Sequence, residues 1–223
     1  MVNKALIFVL LIALLVLCVS GCDMQWVYTL GLPDDAPPAS ALPVQPEALR
    51  QIQRFGTIQN DSDIFFHSGI DLSPIEGETM DVYAIAPGVI TEIITDTKQG
   101  YDAKEGARNF KIVMYISKEI GVIYHFEAAL DNDTGEALSL RDVRKLIKVR
   151  QGQKVDAGDI IGQLPFRKYE THLHFTIAKD AREGDNIPCP LTYFTEEKAN
   201  EFNELYGNVY TYDSTHDICG NEY

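Results

Sequence analysis

The chain has 223 residues, 45% of them hydrophobic, and a formal net charge of −14 at pH 7. That balance repels nucleic acid and anionic lipid surfaces, and no basic run offsets it, so no nucleic-acid partner is expected. Setting aside the N-terminal segments described next, about 170 residues remain, enough for one domain around one core.

Residues 1–4 carry one positive charge, residues 5–19 are apolar throughout, and Ser20-Gly21-Cys22 follows. The apolar run is shorter than the roughly 20 residues of a membrane-spanning helix. A short apolar region closed by small residues predicts a signal peptide over residues 1–21. Val19-Ser20-Gly21-Cys22 resembles a bacterial lipobox. It implies cleavage before Cys22 and lipid on that cysteine, holding the protein to the membrane outside the cytoplasm. Ordinary cleavage with Cys22 free and an uncleaved anchor are the alternatives.

Residues 22–50 read as a tether. Five prolines fall between positions 32 and 47, and such a stretch is extended and semi-rigid. The alternative is an arm packed on the domain, which Trp26 and Tyr28 keep open. The domain proper is expected over residues 51–195, with a C-terminal helix and tail over 196–223.

Strand patterns dominate that domain. Residues 89–95 follow the turn signal Pro87-Gly88. Residues 110–116 alternate Phe, Ile, Met, Ile on one face with Lys, Val, Tyr on the other. Residues 122–126, 160–164 and 173–178 are further short apolar or alternating runs, rich in β-branched and aromatic residues. Residues 100–106 form a polar hairpin loop. The pattern predicts an all-β domain, an antiparallel sandwich or partly open barrel with a groove, plus two short helices. Ser139-x-x-Asp142 is a helix-capping signal ahead of Val143, Leu146 and Ile147. Residues 195–206 put Ala199, Phe202 and Tyr206 on one stripe, with early glutamates and Gly207 as a stop.

Cys18 leaves with the signal and Cys22 takes the lipid. Cys189 and Cys219 remain, an even pair that predicts a disulfide in an oxidising compartment. The competing reading is a second metal site built on His216-x-x-Cys219.

Four of the five histidines fall into three motifs: His67-Ser68-Gly69-Ile70-Asp71, Tyr124-His125-Phe126 and His172-Leu173-His174-Phe175. On a strand, His172 and His174 share a face about 7 Å apart, with Leu173 and Phe175 turned to the core. Gly69 lets the chain fold tightly enough for His67 and Asp71 to converge. Imidazoles and a carboxylate in this order supply three metal ligands and spare imidazoles for proton handling. Taken singly, each motif is as well explained by surface or satisfied strand histidines.

Together the motifs resemble the lysostaphin-type zinc endopeptidases, which cut peptide bonds in bacterial cell walls. The likeness runs over residues 66–193. It includes Ala86-Pro87-Gly88-Val89-Ile90 and the turn-strand Gly152-Gln153-Lys154-Val155-Asp156-Ala157-Gly158-Asp159-Ile160-Ile161-Gly162. The latter run also occurs in lipoyl-like and phosphocarrier domains, so it marks a fold and not a catalyst. The resemblance implies one zinc ion per chain on His67, Asp71 and His174, with a zinc-activated water as nucleophile. It implies that His125 and His172 act just outside the ligands, one as the base and both as stabilisers of the oxyanion. The substrate it implies is a cell-wall peptide. Three departures stand out. The loop 163–171 is short, bulky and free of glycine; Thr176 stands where a glutamate is common; and residues 127–148 are extra. The loop and the extra chain are expected to narrow or lid the groove. The rival readings are a catalytically weak member that binds or activates a cell-wall hydrolase through a regulatory protein partner, and a non-catalytic envelope adaptor.

Overall fold

The computed structural model describes residues 30–59, 64–98, 106–131, 133–184, 187–209 and 217–219. The signal peptide, Cys22, Trp26, Tyr28 and His216 lie outside these residues. Eleven strands run in chain order as β1 (Leu49–Gln53), β2 (Gly56–Gln59), β3 (Ile64–His67), β4 (Ile70–Pro74), β5 (Thr79–Tyr83), β6 (Gly88–Thr97), β7 (Asn109–Tyr115), β8 (Ile120–Glu127), β9 (Lys154–Val155), β10 (Ile160–Pro165) and β11 (His172–Lys179). Seven of them form one open sheet in the order β1-β4-β11-β8-β7-β6-β9, every neighbouring pair antiparallel. The pairs β5–β10 and β2–β3 are separate two-stranded sheets. The architecture is all-β and antiparallel, with no closed barrel, as the alternating runs predict.

Alternation along the strands sorts side chains onto the two faces of the large sheet. Phe110, Ile112 and Met114 of β7, Tyr124 and Phe126 of β8, and Leu173 and Phe175 of β11 are fully buried in the main core. The β5–β10 pair covers this face. Gly162 of β10 lies so close to Phe126 that a Cβ there would stand 2.6 Å from the ring. The opposite face carries Lys111, His125, Glu127, His172, His174 and Asp71. Polar residues gathered on one face of a sheet, and still largely buried, mark the place where this fold spends polarity.

Two helices among the described residues flank the sheets. In α1 (Leu140–Leu146) the Ser139 hydroxyl caps the first turn, accepting from the Asp142 backbone N–H and donating to its carboxylate at 2.6 Å. This is the capping signal read from the sequence. In α2 (Glu196–Asn208), Thr195 is the N-cap and Phe202 and Tyr206 are buried. The helix runs through Gly207, so that residue is not the stop expected of it. Helix bonding continues to the Val209 N–H, which bonds Leu205.

Of the proline-rich stretch, the described part packs on the domain as an arm. Leu32, Ala39, Val44 and Leu49 are buried. The Ser40 and Ala41 N–H groups bond Ile85, Tyr83 N–H bonds Pro43, and Thr195 N–H bonds Ala39. Prolines that remove donors still leave carbonyls free to accept, and the domain uses them. Cys189 and Cys219 form a disulfide. It holds the tail against the β1–β2 turn, where the Phe55 N–H bonds the Ile218 carbonyl at 3.0 Å.

Candidate metal centre

Register builds the site. Across the large sheet, Lys111 of β7 faces His125 of β8, His125 faces His174 of β11, His174 faces Asp71 of β4, and Asp71 faces Gln53 of β1. One row along, Glu127 of β8 faces His172 of β11. All these side chains point to the polar face. His67 enters from outside the large sheet, at the end of β3, and the Ser68-Gly69 turn returns the chain into β4.

Gly69 is needed there for a reason of space. A Cβ at this position would stand 2.6 Å from both Cε1 and Nε2 of His174 and 2.8 Å from the Thr176 hydroxyl. No side chain fits between the turn and the ring.

His67, Asp71 and His174 form a tight triangle. His67 Nε2 lies 3.1 Å from Asp71 Oδ1 and 3.2 Å from His174 Nδ1, and His174 Nδ1 lies 2.9 Å from the same Asp71 oxygen. The outer nitrogens fix the tautomers. His67 Nδ1 is 2.6 Å from the Arg54 carbonyl, to which it can only donate. The Thr176 hydroxyl donates to the Ser68 carbonyl and so accepts from His174 Nε2 at 3.2 Å. Both rings therefore turn a lone pair inward, onto a carboxylate oxygen. Three acceptors this close hold together only around shared positive charge, a metal ion or protons. Ligands about 2.0 Å from a tetrahedral zinc stand roughly 3.3 Å apart. The triangle fits zinc in both donor set and size, and the bonds to Arg54 and Thr176 are the outer contacts that orient metal-binding imidazoles. Among the described residues this is the one such group with its ligand atoms within 4.8 Å of one another.

Electrostatics agree with the geometry. Burial works against charge on His67, but the Asp71 carboxylate outweighs it and raises the His67 pKa above the usual imidazole value. Burial likewise opposes charge on Asp71, and the surrounding His172 and His67 hold its carboxyl well below the usual range.

His172 and His125 flank the triangle in different states. His172 Nδ1 donates to the Glu170 carbonyl at 2.7 Å. Its Nε2 faces two carboxylate oxygens, Asp71 Oδ2 and Glu127 Oε2, each at 3.6 Å. Burial lowers its pKa, and the Asp71 and Glu127 charges overcome that and raise it. His125 is 2% exposed. Its Nδ1 faces Glu127 Oε1 at 3.3 Å, and its Nε2 is buried without a hydrogen-bond partner. Burial first, then the positive Lys111, push its pKa down to about 3, so the ring is neutral.

A cavity of about 490 Å³ opens over the triangle, lined by Gln51, Gln53, Phe65, Tyr169, Glu170 and the site residues other than His125. Of the two segments expected to crowd the groove, the loop 163–171 does so through Tyr169 and Glu170. The extra chain 127–148 contributes Glu127 to the lining; beyond it, the segment braces the loop from behind, where Arg167 donates to the Glu136 carbonyl.

Glu127, Lys111 and Glu183 were not singled out in the sequence. Glu183 reaches Lys111 Nζ at 3.5 Å and His174 Nε2 at 3.8 Å. Glu127 was legible, being two positions after His125 and so on the same strand face. Glu183 gives no such signal, because it arrives on a loop after β11.

No protein-family model matches the chain, and no curated protein matches it. Among solved structures it is similar to a chain of the SpoIIQ–SpoIIIAH pore-forming complex at 18% identity, over 73% of this chain and 94% of that one, with a TM-score of 0.45. It is similar to the catalytic domain of the antimicrobial peptidase lysostaphin from Staphylococcus simulans at 19% identity, over 63% and 87%, with a TM-score of 0.40. It is also similar to a zinc-containing peptidase from Vibrio cholerae at 21% identity, over 70% and 41%, with a TM-score of 0.41. None of these three reaches a TM-score of 0.5, and the chemistry that follows is carried by this chain's own residues.

Proposed function

We propose that the protein is a zinc metallopeptidase of the lysostaphin type, acting outside the cytoplasm on cell-wall peptides and held to the membrane by lipid on Cys22. The observation that carries the reading is the convergence of His67 Nε2, Asp71 Oδ1 and His174 Nδ1 within 2.9–3.2 Å of one another, with both imidazole tautomers set by outer bonds. A zinc ion held there supplies Lewis-acid activation of a water and of the scissile carbonyl.

The protein's own groups divide the remaining work. The Nε2 of His125 has no hydrogen-bond partner, which leaves its lone pair open to receive the proton of the attacking water. His172 has Nδ1 fixed on a backbone carbonyl and turns Nε2 inward between the Asp71 and Glu127 carboxylates; protonated there, it would stabilise negative charge on the carbonyl oxygen. The sequence left the choice of base open between these two, and the hydrogen bonding favours His125. Phe65 and Tyr169, exposed on the lining, offer apolar contact to an extended peptide. The membrane anchor and the cell-wall substrate rest on the N-terminal sequence and the motif resemblance.

One observation favours a second reading, a weak or inactive member that serves as a binding module. His125 lines no part of the cavity over the triangle, and a base must reach its water. Metal analysis and peptide cleavage separate the two. One zinc per chain with cleavage of purified cell-wall peptides, abolished by His125→Ala, supports the peptidase. Zinc without cleavage of any such peptide supports the binding module. No zinc at neutral pH defeats the peptidase and leaves the binding module.

A further inference from the structure

We infer that Glu127 is the positioning residue of this site, a carboxylate that orients the two non-ligand histidines at once and sets them to opposite tasks. The inference rests on the peptidase reading for its meaning, but on this chain's geometry for its support.

Glu127 ends β8, two residues after His125, so both side chains share the polar face. Register puts it directly opposite His172. It is 7% exposed, and burial of a carboxylate requires partners. Its two oxygens divide between the two rings: Oε1 lies 3.3 Å from His125 Nδ1 and Oε2 lies 3.6 Å from His172 Nε2. It is not a member of the metal triangle.

The two rings respond differently because their other nitrogens differ. His172 already donates from Nδ1 to the Glu170 carbonyl, and it turns its Nε2 toward Glu127 at 3.6 Å. His125 has no partner on Nε2, so an N–H on Nδ1 facing Glu127 leaves the Nε2 lone pair open. A base whose far nitrogen is held by a carboxylate is fixed in the tautomer that accepts a proton, and the carboxylate stabilises the imidazolium that forms. Asp71 splits its oxygens in a parallel way, Oδ1 to the ligand rings and Oδ2 to His172. His172 thus sits between two carboxylates, one serving the metal ligands and the other serving His125.

Two variants of the full-length, zinc-loaded protein test this. Glu127→Ala removes both contacts. Glu127→Gln keeps a carbonyl to accept from His125 but removes the charge. Tautomers are read by long-range nitrogen–proton NMR correlations of the histidine rings, zinc by elemental analysis, and kcat and KM on peptides from purified peptidoglycan. The expected result is an Nδ1-protonated His125 in the wild type that is lost in Glu127→Ala, with zinc still at one per chain. For Glu127→Gln, the tautomer is kept, kcat falls about 10²-fold and KM barely moves. An unchanged His125 tautomer in Glu127→Ala, or parallel loss of zinc and folding in both variants, overturns the inference. A changed tautomer in a protein that cleaves no peptide even as wild type leaves the positioning role standing and removes the peptidase reading instead.

Discussion

His67 Nε2 and His174 Nδ1 stand 3.2 Å apart, each the lone-pair side of a ring whose other nitrogen is already committed to a neighbour. Two such atoms repel unless something positive lies between them. Replacing either ring with alanine therefore removes a ligand and leaves the remaining pair too open to hold zinc. His67→Ala and His174→Ala are each expected to bring bound zinc from one per chain to near zero, as measured by elemental analysis after gel filtration.

His125→Ala is expected to behave in the opposite way. His125 contributes no atom to the triangle, so zinc stays at one per chain. Cleavage of cell-wall peptides falls by about 10²–10⁴-fold, the range for loss of a general base. Loss of zinc in this variant would refute the division of roles.

Gly69→Ala tests the close approach of turn and ring. The added methyl would meet His174 at 2.6 Å, a contact only a shift of the ring or the turn can relieve. Gly69 has no positive φ, so the backbone itself accepts alanine. Zinc affinity is expected to fall about 10- to 100-fold, the effect of disturbing a ligand's outer contacts. Competition against a chromogenic chelator measures the loss, and circular dichroism should show the fold retained.

Zinc affinity should also depend on pH with a definite sign. In the metal-free protein the His67 pKa is raised, by Asp71 against the effect of burial, and that of Asp71 is depressed. As pH falls through the raised His67 value, a proton occupies the nitrogen that zinc needs, while Asp71 remains ionised. Affinity is therefore expected to weaken about tenfold per pH unit below that point and to level off above it. Isothermal titration calorimetry from pH 5 to 8 checks the slope, in buffers of different ionisation enthalpy. Constant affinity across this range would contradict the assignment of His67 as a ligand.

Breaking the Cys189–Cys219 bridge should reach the same site from a distance. The bridge spans 30 positions, and its loss is expected to cost about 3–4 kcal/mol by the loop-entropy account. It also frees the tail whose Ile218 carbonyl holds the Phe55 N–H, next to the Arg54 carbonyl that orients His67. Cys219→Ser should lower the melting temperature and weaken zinc binding together. A lowered melting temperature with unchanged zinc affinity would show the two to be independent.

Strands β6, β7, β8, β10 and β11, the cap of α1 and the three histidine motifs were legible because each depends on local spacing. Alternation announced the two faces of β7 and β11, and Ser139 announced the start of α1. What was not legible depends on pairing between distant segments. Nothing local to His125 says that it stands opposite His174, or that Glu127 stands opposite His172. Locally Gly69 reads as a turn residue, whereas its ordinary φ and the closeness of the His174 ring show a demand for space. Gly207 reads as a stop, yet the helix tolerates it because Phe202 and Tyr206 still bury the same face. In the proline-rich segment, composition favours a tether. Its packing comes from a few apolar anchors, Leu32, Ala39 and Val44, that composition averages away.

His67 and His174 are 107 positions apart in the chain, and that separation governs when the site can exist. Closing so long a stretch is entropically costly, and β11 must first find both β4 and β8 before the second ring meets the first. A metal ion held by both rings would therefore bind a sheet already assembled, stabilise that state by mass action and leave as the sheet opens. In denaturation experiments, the departure of zinc would serve as a clock for the separation of β11 from β4, the rupture that dismantles the middle of the molecule.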